Sequence, residues 1–308
     1  MELNQPVDPE IAVVLATLPE GAALDETTLA ASRSRTRPAP VLSGTVAVTE
    51  HVAPADPPVP VRVHRRTDAP VAGIAALISL HGGGLVLGSY ADDDAILDSW
   101  CSRLDLVGVA VEYRLAPETR YPGALEDAYA ALLWTYKNAA ELGIDPSRIG
   151  VRGASAGGGL AAALCLLARD RGEVPVAFQL LDCPMLDDRQ CTPSSRQDGL
   201  LVWSRESNAF GWRSYLGELY GTEVPYTAAP ARALDLTGLP PTFVSVGSTD
   251  GFRDEDIDYA LRLNQAGVPC ELHVYPGAPH GYGLAPNAAV SGRSRTDQLD
   301  WLRRQPGG

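Results

Sequence analysis

Arg148-Ile149-Gly150-Val151-Arg152-Gly153-Ala154-Ser155-Ala156-Gly157-Gly158-Gly159-Leu160 is the stretch that decides the fold. A short strand over 148–152 leads into a serine flanked by glycines, and a strongly helical run over 160–169 follows. Glycine on both flanks suits a sharp strand-to-helix turn, where larger side chains would collide. Such a turn leaves the serine hydroxyl exposed above a sheet. The helix N-terminus beyond it aims amide groups toward any negative charge that develops there. Five residues alone would equally fit an ordinary glycine-rich turn; the strand before and the helix after favour a nucleophile.

Outward from this turn the chain alternates between apolar strands and helical segments. Residues 74–80 and 107–111 are continuous apolar runs, as strands buried on both faces require. Further strands are expected over 178–181, 242–246 and 271–275. Residues 123–137 have helical spacing, with Leu125, Ala128, Leu132 and Leu133 on one side. Residues 254–265 form an amphipathic helix ended by Gly267 and Pro269. The alternation implies an α/β fold, a mostly parallel sheet covered by helices on both faces.

Before this region lie two β-rich runs, 41–53 and 59–65, separated by Pro54, Pro57 and Pro58. Residues 1–40, with an apolar-periodic segment over 11–18, read as one or two short helices. Residues 187–225 break the alternation: they are rich in turn formers and carry Trp203, Phe210, Trp212, Tyr215 and Tyr220. The expected organisation is therefore N-terminal cap helices over 1–40, a catalytic core over 41–186 and 226–308, and a cap insertion over 187–225. A surface helix over 296–305 closes the chain.

Composition narrows the function. The chain has 308 residues, 45% hydrophobic and 20% charged, enough for a large core without staples. A net charge of -13 disfavours a nucleic-acid partner, whose phosphates need basic patches. No Lys or Arg precedes Arg33, unlike a secretory signal, and no apolar run is long enough to span a membrane. Cys101, Cys165, Cys183, Cys191 and Cys270 are odd in number and lack metal-ligand spacing. They are expected to pack in the core of a cytoplasmic protein that uses no metal.

The chemistry needs more than a serine. His81-Gly82-Gly83-Gly84 follows the strand over 74–80 directly. Its glycines let the backbone approach a substrate oxygen, so amides of this loop and of Ala156 would form an oxyanion hole. A serine hydroxyl also needs a base. His51 and His64 lie in the early β region, His81 shapes the glycine loop, and His273 sits on a strand with its apolar neighbours facing the other way. That leaves His280, in the loop after the last strand, where a base at the carboxyl edge of the sheet belongs. Asp250, in the loop after 242–246, is placed to orient it. Asp254, Glu255, Asp256 and Asp258 fall on the ensuing helix and are expected to be solvated. The order Ser155, Asp250, His280 is the order of the α/β-hydrolase fold.

On these motifs the chain resembles the hormone-sensitive-lipase family of esterases, from about residue 74 to 283. The likeness also rests on Tyr113-Arg114-Leu115-Ala116-Pro117-Glu118, on Leu125-Glu126-Asp127-Ala128-Tyr129, and on Arg253-Asp254-Glu255 after Asp250. It implies a triad of Ser155, Asp250 and His280, oxyanion donors at Gly83, Gly84 and Ala156, and a cap built from both segments named above. It also implies short to medium acyl chains and a homodimer through the edge strand over 271–275. Two departures stand out. Ala154 replaces the Asp or Thr common in the family, and Gly251-Phe252 replaces Pro-Leu. The motif around Tyr113, Glu118 and Asp127 is expected to pair and pack rather than react.

The expected reaction is hydrolysis of a small-molecule ester through an acyl-enzyme, with no cofactor. Amide or lactone hydrolysis and acyl transfer would use the same residues. A small-molecule receptor on this fold would typically have lost one of the three, and all three are here.

Overall fold

The structure, a computed structural model, describes residues 6–17, 23–35, 39–70 and 72–305. Its strands are β1 (Val46–Ala53), β2 (Val59–Arg66), β3 (Ile74–Leu80), β4 (Leu106–Val111), β5 (Ile144–Ala154), β6 (Gln179–Asp182), β7 (Thr242–Gly247) and β8 (Cys270–Tyr275). The helices before β6 are α1 (Pro9–Leu15), α2 (Leu29–Arg33), α3 (Asp94–Cys101), α4 (Gly123–Lys137), α5 (Ala139–Leu142) and α6 (Ala156–Arg171). After it come α7 (Arg205–Leu216), α8 (Arg253–Gln265) and α9 (Ala289–Arg304).

Among the described residues the strands form one eight-stranded sheet, in the order β1-β2-β4-β3-β5-β6-β7-β8. β2 pairs antiparallel with both β1 and β4; the strands from β3 to β8 run parallel to one another. In β3, Ala75 and Leu77 face one side and Ala76, Ile78 and Leu80 the other, the two-residue period of a strand. The first pair packs with Leu97 and Trp100 of α3 and with Leu299 and Trp301 of α9. The second set joins Leu125 of α4, Leu160 of α6 and Tyr259 of α8. Cover on both faces is why these strands read as continuous apolar runs.

Parallel register has a consequence for function. Leu80 lies beside Gly153, Ala154 beside Asp182, Asp182 beside Ser245, and Gly247 beside Tyr275. The loops after β3, β5, β6, β7 and β8 therefore open at one edge of the sheet. The N-terminal helices support two of them. Ile11 of α1 packs with Tyr275, Ala278 and Tyr282, and the Asp8 amide donates to Gly277 O at 2.8 Å. Arg33 of α2 donates to Val86 O and Ala116 O and pairs with Glu118. The parts of the expected cap at 1–5, 18–22 and 36–38 lie outside the described residues.

Several sequence expectations change. The first β run begins at Val46 rather than 41, and Val41 is fully exposed. The last helix begins at Ala289, well before 296, because its first buried face includes Ser291 and Ser294, which give no apolar signal. Helix α3 went unread for a similar reason: Asp98 occupies part of its buried face and accepts from the Ser43 amide and hydroxyl. Cys101, Cys165 and Cys183 are buried as expected, but Cys191 is exposed and Cys270 only half-buried. His64, placed by sequence outside the core, is fully buried and hydrogen-bonded to Asp94. Among the described residues, no helix is long and apolar enough to cross a membrane.

Candidate active site

Ser155 stands between the end of β5 and the start of α6, at φ 56° and ψ -121°. That is a sparsely populated conformation for a residue with a side chain. It is held from several sides: the Ser155 amide donates to Asp182 O at 2.8 Å, while Ser155 O accepts from Gly159 and Met185. A β-carbon at Gly157 would overlap the carbonyl oxygens of Leu80 and His81, so the turn at Ser155 and the glycine loop after β3 can approach this closely only with glycine there.

The sequence-predicted residues come together at this edge. His280 Nε2 lies 2.9 Å from Ser155 Oγ, and His280 Nδ1 lies 2.8 Å from Asp250 Oδ2. The other Asp250 oxygen accepts from the Phe252 amide at 2.9 Å. Asp250 is 1% and His280 8% exposed, so water competes little for these bonds. Phe252 packs edge-on against the imidazole, ring centroids 5.0 Å apart. Burial pushes the His280 pKa down, but the charge and hydrogen bond of Asp250, helped by the charge of Asp182, outweigh it. The net result is a pKa above the ordinary histidine value.

Gly83 and Gly84 both have positive φ, 119° and 62°, in the region that favours glycine. Among the described residues neither amide donates to a backbone carbonyl. Ala156 is the first residue of α6, so its N–H has no acceptor within the helix. His81 has the shaping role expected of it. Its Nδ1 lies 2.8 Å from Gly82 O, and its ring stacks on Tyr113 at 4.2 Å. Arg114 and Asp127 form the expected ion pair, at 2.7 Å. Trp203, from the segment after β6, lies directly against Gly84, where a β-carbon would overlap its indole.

Sequence reasoning missed Cys183, whose thiol lies with the Asp250 carboxylate and a His280 nitrogen, all within 4.8 Å of one another. The available signal was its place directly after β6, at the same edge. These three could in principle ligate a metal. However, burial, reinforced by the charges of Asp182 and Asp250, pushes the Cys183 thiol up and keeps it protonated, while Asp250 and His280 are bonded to each other. Such a donor set suits a proton relay better than a metal.

A correction concerns the acidic start of α8. Asp254 and Asp258 are partly exposed, but Glu255 and Asp256 are buried. Glu255 accepts from the Leu186 and Asp187 amides and so ties α8 to the segment after β6. Among the described residues both Asp256 oxygens lack a hydrogen-bond partner. Burial, then the charges of Glu255, Asp250 and Asp182, push the Asp256 pKa well up. The unfolded chain releases this proton near pH 4, about the free Asp value, and the folded chain only at higher pH. Folding stability is thus lost as pH rises through that interval. Asp256→Asn removes the ionisation and is expected to raise Tm more at pH 8 than at pH 5. Equal shifts at the two pH values, read by calorimetry, would show that Asp256 does not stay protonated in the fold.

Known proteins place this architecture. Residues 77–284 match the family described as the alpha/beta hydrolase fold. The chain belongs to that family, in its hormone-sensitive-lipase-like branch. It is 40% identical over 234 residues to the carboxylesterase NlhH of Mycobacterium tuberculosis, covering 73% of this chain and 71% of that protein. Esterase LipI of the same organism is 38% identical over 229 residues, covering 72% and 70%. Among known structures, a bacterial heroin esterase superposes with a TM-score of 0.90 at 42% identity, covering 97% of each chain.

Proposed function

We propose that Ser155, His280 and Asp250 are the catalytic triad of this enzyme, a serine-dependent hydrolase of carboxylic esters. The observation that carries the reading is the unbroken hydrogen-bond chain from Ser155 Oγ through the imidazole to Asp250. Similarity to named esterases and carboxylesterases supports the same reaction. With Asp250 accepting from Nδ1–H, the free lone pair of the imidazole sits on Nε2, facing the hydroxyl.

His280 then takes the Ser155 proton as Oγ bonds to the ester carbonyl carbon. The carbonyl oxygen becomes an oxyanion and is held by the Gly83, Gly84 and Ala156 amides. Each such donor is worth about 2.7–4 kcal/mol in the transition state. The imidazolium returns the proton to the departing alkoxide as the carbon–oxygen bond breaks, leaving an acyl-serine and an alcohol. Water, deprotonated by the same imidazole, attacks the acyl carbon and restores Ser155 with release of the acid. The Asp250 carboxylate accepts from Nδ1–H and stabilises the imidazolium in both steps.

The segment over 187–225, with the N-terminal helices, serves as the cap. Trp203 on the oxyanion loop and α1 against the loop of His280 support that division. The cap limits the space over Ser155 and favours short to medium acyl chains. The five free thiols support a cytoplasmic setting.

The test is the pH dependence of p-nitrophenyl butyrate hydrolysis. Only the neutral imidazole can act as base, so kcat/KM falls on acidification. Because the His280 pKa is raised, the midpoint lies above the usual histidine value of about 6.5. Butyrate is turned over faster than palmitate. A profile flat down to about pH 5 would remove His280 from the role.

A further inference from the structure

The geometry points to Asp182 as a positioning residue: it ties the loop of the base to the nucleophile and faces the imidazole with a second carboxylate. The inference rests on the triad reading above and adds a residue to it. Ser155 and His280 are 125 residues apart in the chain, yet Oγ and Nε2 lie 2.9 Å from each other. The sheet brings the two loops to one edge, and contacts between the loops must set the rest.

Asp182 supplies such contacts from both its main chain and its side chain. It ends β6, beside Ala154 on one neighbouring strand and Ser245 on the other. Its main-chain oxygen accepts from the Ser155 amide at 2.8 Å. Its side-chain Oδ1 accepts from the Tyr282 hydroxyl at 3.2 Å, and Tyr282 follows His280 and Gly281 directly. The Tyr282 amide donates back to Pro279 O at 3.2 Å, closing a turn around His280. Ser245 Oγ donates to the same Oδ1 at 2.7 Å and fixes the carboxylate from β7. Behind Tyr282 the donors run in one direction. With its own proton on Asp182, the Tyr282 oxygen accepts from Ser294 of α9 at 2.7 Å, and Ser294 accepts from Gln298 at 3.2 Å.

An amide or a hydroxyl could tie the same loops, so the carboxylate calls for a further reason. Among the described residues no Lys or Arg bonds it. Its charge acts on His280, Cys183, Tyr275 of β8, Tyr282 and Asp256 of α8. Burial pushes the last four toward their neutral forms, and the Asp182 charge adds to that push. His280 is the member of this set that becomes a cation. Burial lowers its pKa, the charge and hydrogen bond of Asp250 raise it, and the charge of Asp182 raises it further. The imidazole gains a proton in both steps of the reaction, so a fixed negative charge beside it favours each transition state.

Hydrolysis of p-nitrophenyl butyrate across the pH range separates the tie from the charge. Tyr282→Phe keeps the ring beside Tyr275 and Ile11 but drops the hydroxyl. It is expected to lower kcat about tenfold with KM little changed, as a loosely aimed base would. Its kcat/KM midpoint stays near that of the wild type. Asp182→Leu removes tie and charge together, so kcat falls at least as far and the midpoint moves to lower pH. Asp182→Asn can still accept both hydroxyls on one oxygen, because both bonds fall on Oδ1. It is expected to regain the kcat that Asp182→Leu loses, with a midpoint about half to one pH unit below wild type. A purely structural role would leave the midpoint where it is. Tyr282→Phe and Asp182→Asn decide the matter even where Asp182→Leu does not fold. Wild-type kcat in Tyr282→Phe, or an unmoved midpoint in Asp182→Asn, would overturn the inference and leave the triad standing. So would a loss in Ser294→Ala equal to that of Tyr282→Phe, since α9 would then be what holds the loop. A wild type that neither hydrolysed any ester nor took a serine-directed phosphonate would sink both readings together.

Discussion

Ser155→Ala is expected to lower kcat for p-nitrophenyl butyrate by about a millionfold, the loss seen when a triad serine acts as part of a unit with its base. The variant keeps the Gly83, Gly84 and Ala156 amides proposed to hold the oxyanion, so a residue of activity above the uncatalysed rate survives. The change should leave the fold in place. Alanine is compatible with the glycine-lined elbow, and only a half-buried hydroxyl bonded to His280 is removed. A serine-directed phosphonate adds an independent readout: it labels one serine of the wild type and none of Ser155→Ala. If the wild type hydrolysed no probe ester yet was labelled, the triad would be active and its substrate unlike the probe. If neither protein were labelled, Ser155 would not be an activated nucleophile, whatever its geometry.

The sheet and the candidate site were legible in the sequence for one shared reason. Strands buried on both faces leave continuous apolar runs, and a parallel sheet places every strand's carboxyl end at one edge. Recognising β3, β5, β7 and β8 was therefore enough to bring Gly83, Ser155, Asp250 and His280 to that edge. What escaped the reading depends on contacts between segments distant in the chain. Glu255 and Asp256 look like an ordinary charged start to a helix, yet α8 turns both inward, one onto the amides of Leu186 and Asp187. Gln190 is one polar residue in a turn-rich stretch, and nothing local shows that its amide oxygen is buried without a partner among the described residues. Cys183 is likewise silent until Asp182 is paired with Ser245 across β6 and β7, which sets the next residue against the triad.

Asp250→Asn should lower kcat by about ten-thousandfold while leaving the backbone of the site unchanged. The reason lies in how the two carboxylate oxygens are engaged. One accepts from the Phe252 amide at 2.9 Å, the other from His280 Nδ1 at 2.8 Å. In the variant the amide oxygen must stay on the Phe252 N–H, because the NH2 group cannot accept there. The NH2 group then faces His280 and donates to Nδ1. The imidazole is left with its proton on Nε2, aimed at Ser155, where it can no longer take the hydroxyl proton. A structure of the variant should show an unmoved ring with an idle base, so the loss falls on kcat and on the rate of phosphonate labelling rather than on fold. A loss of less than about tenfold would mean that another acid orients the ring. Asp182 is the group to examine in that case, since its charge already raises the His280 pKa. Asp182→Asn on the Asp250→Asn background would then have to remove the remaining activity for that substitute role to hold.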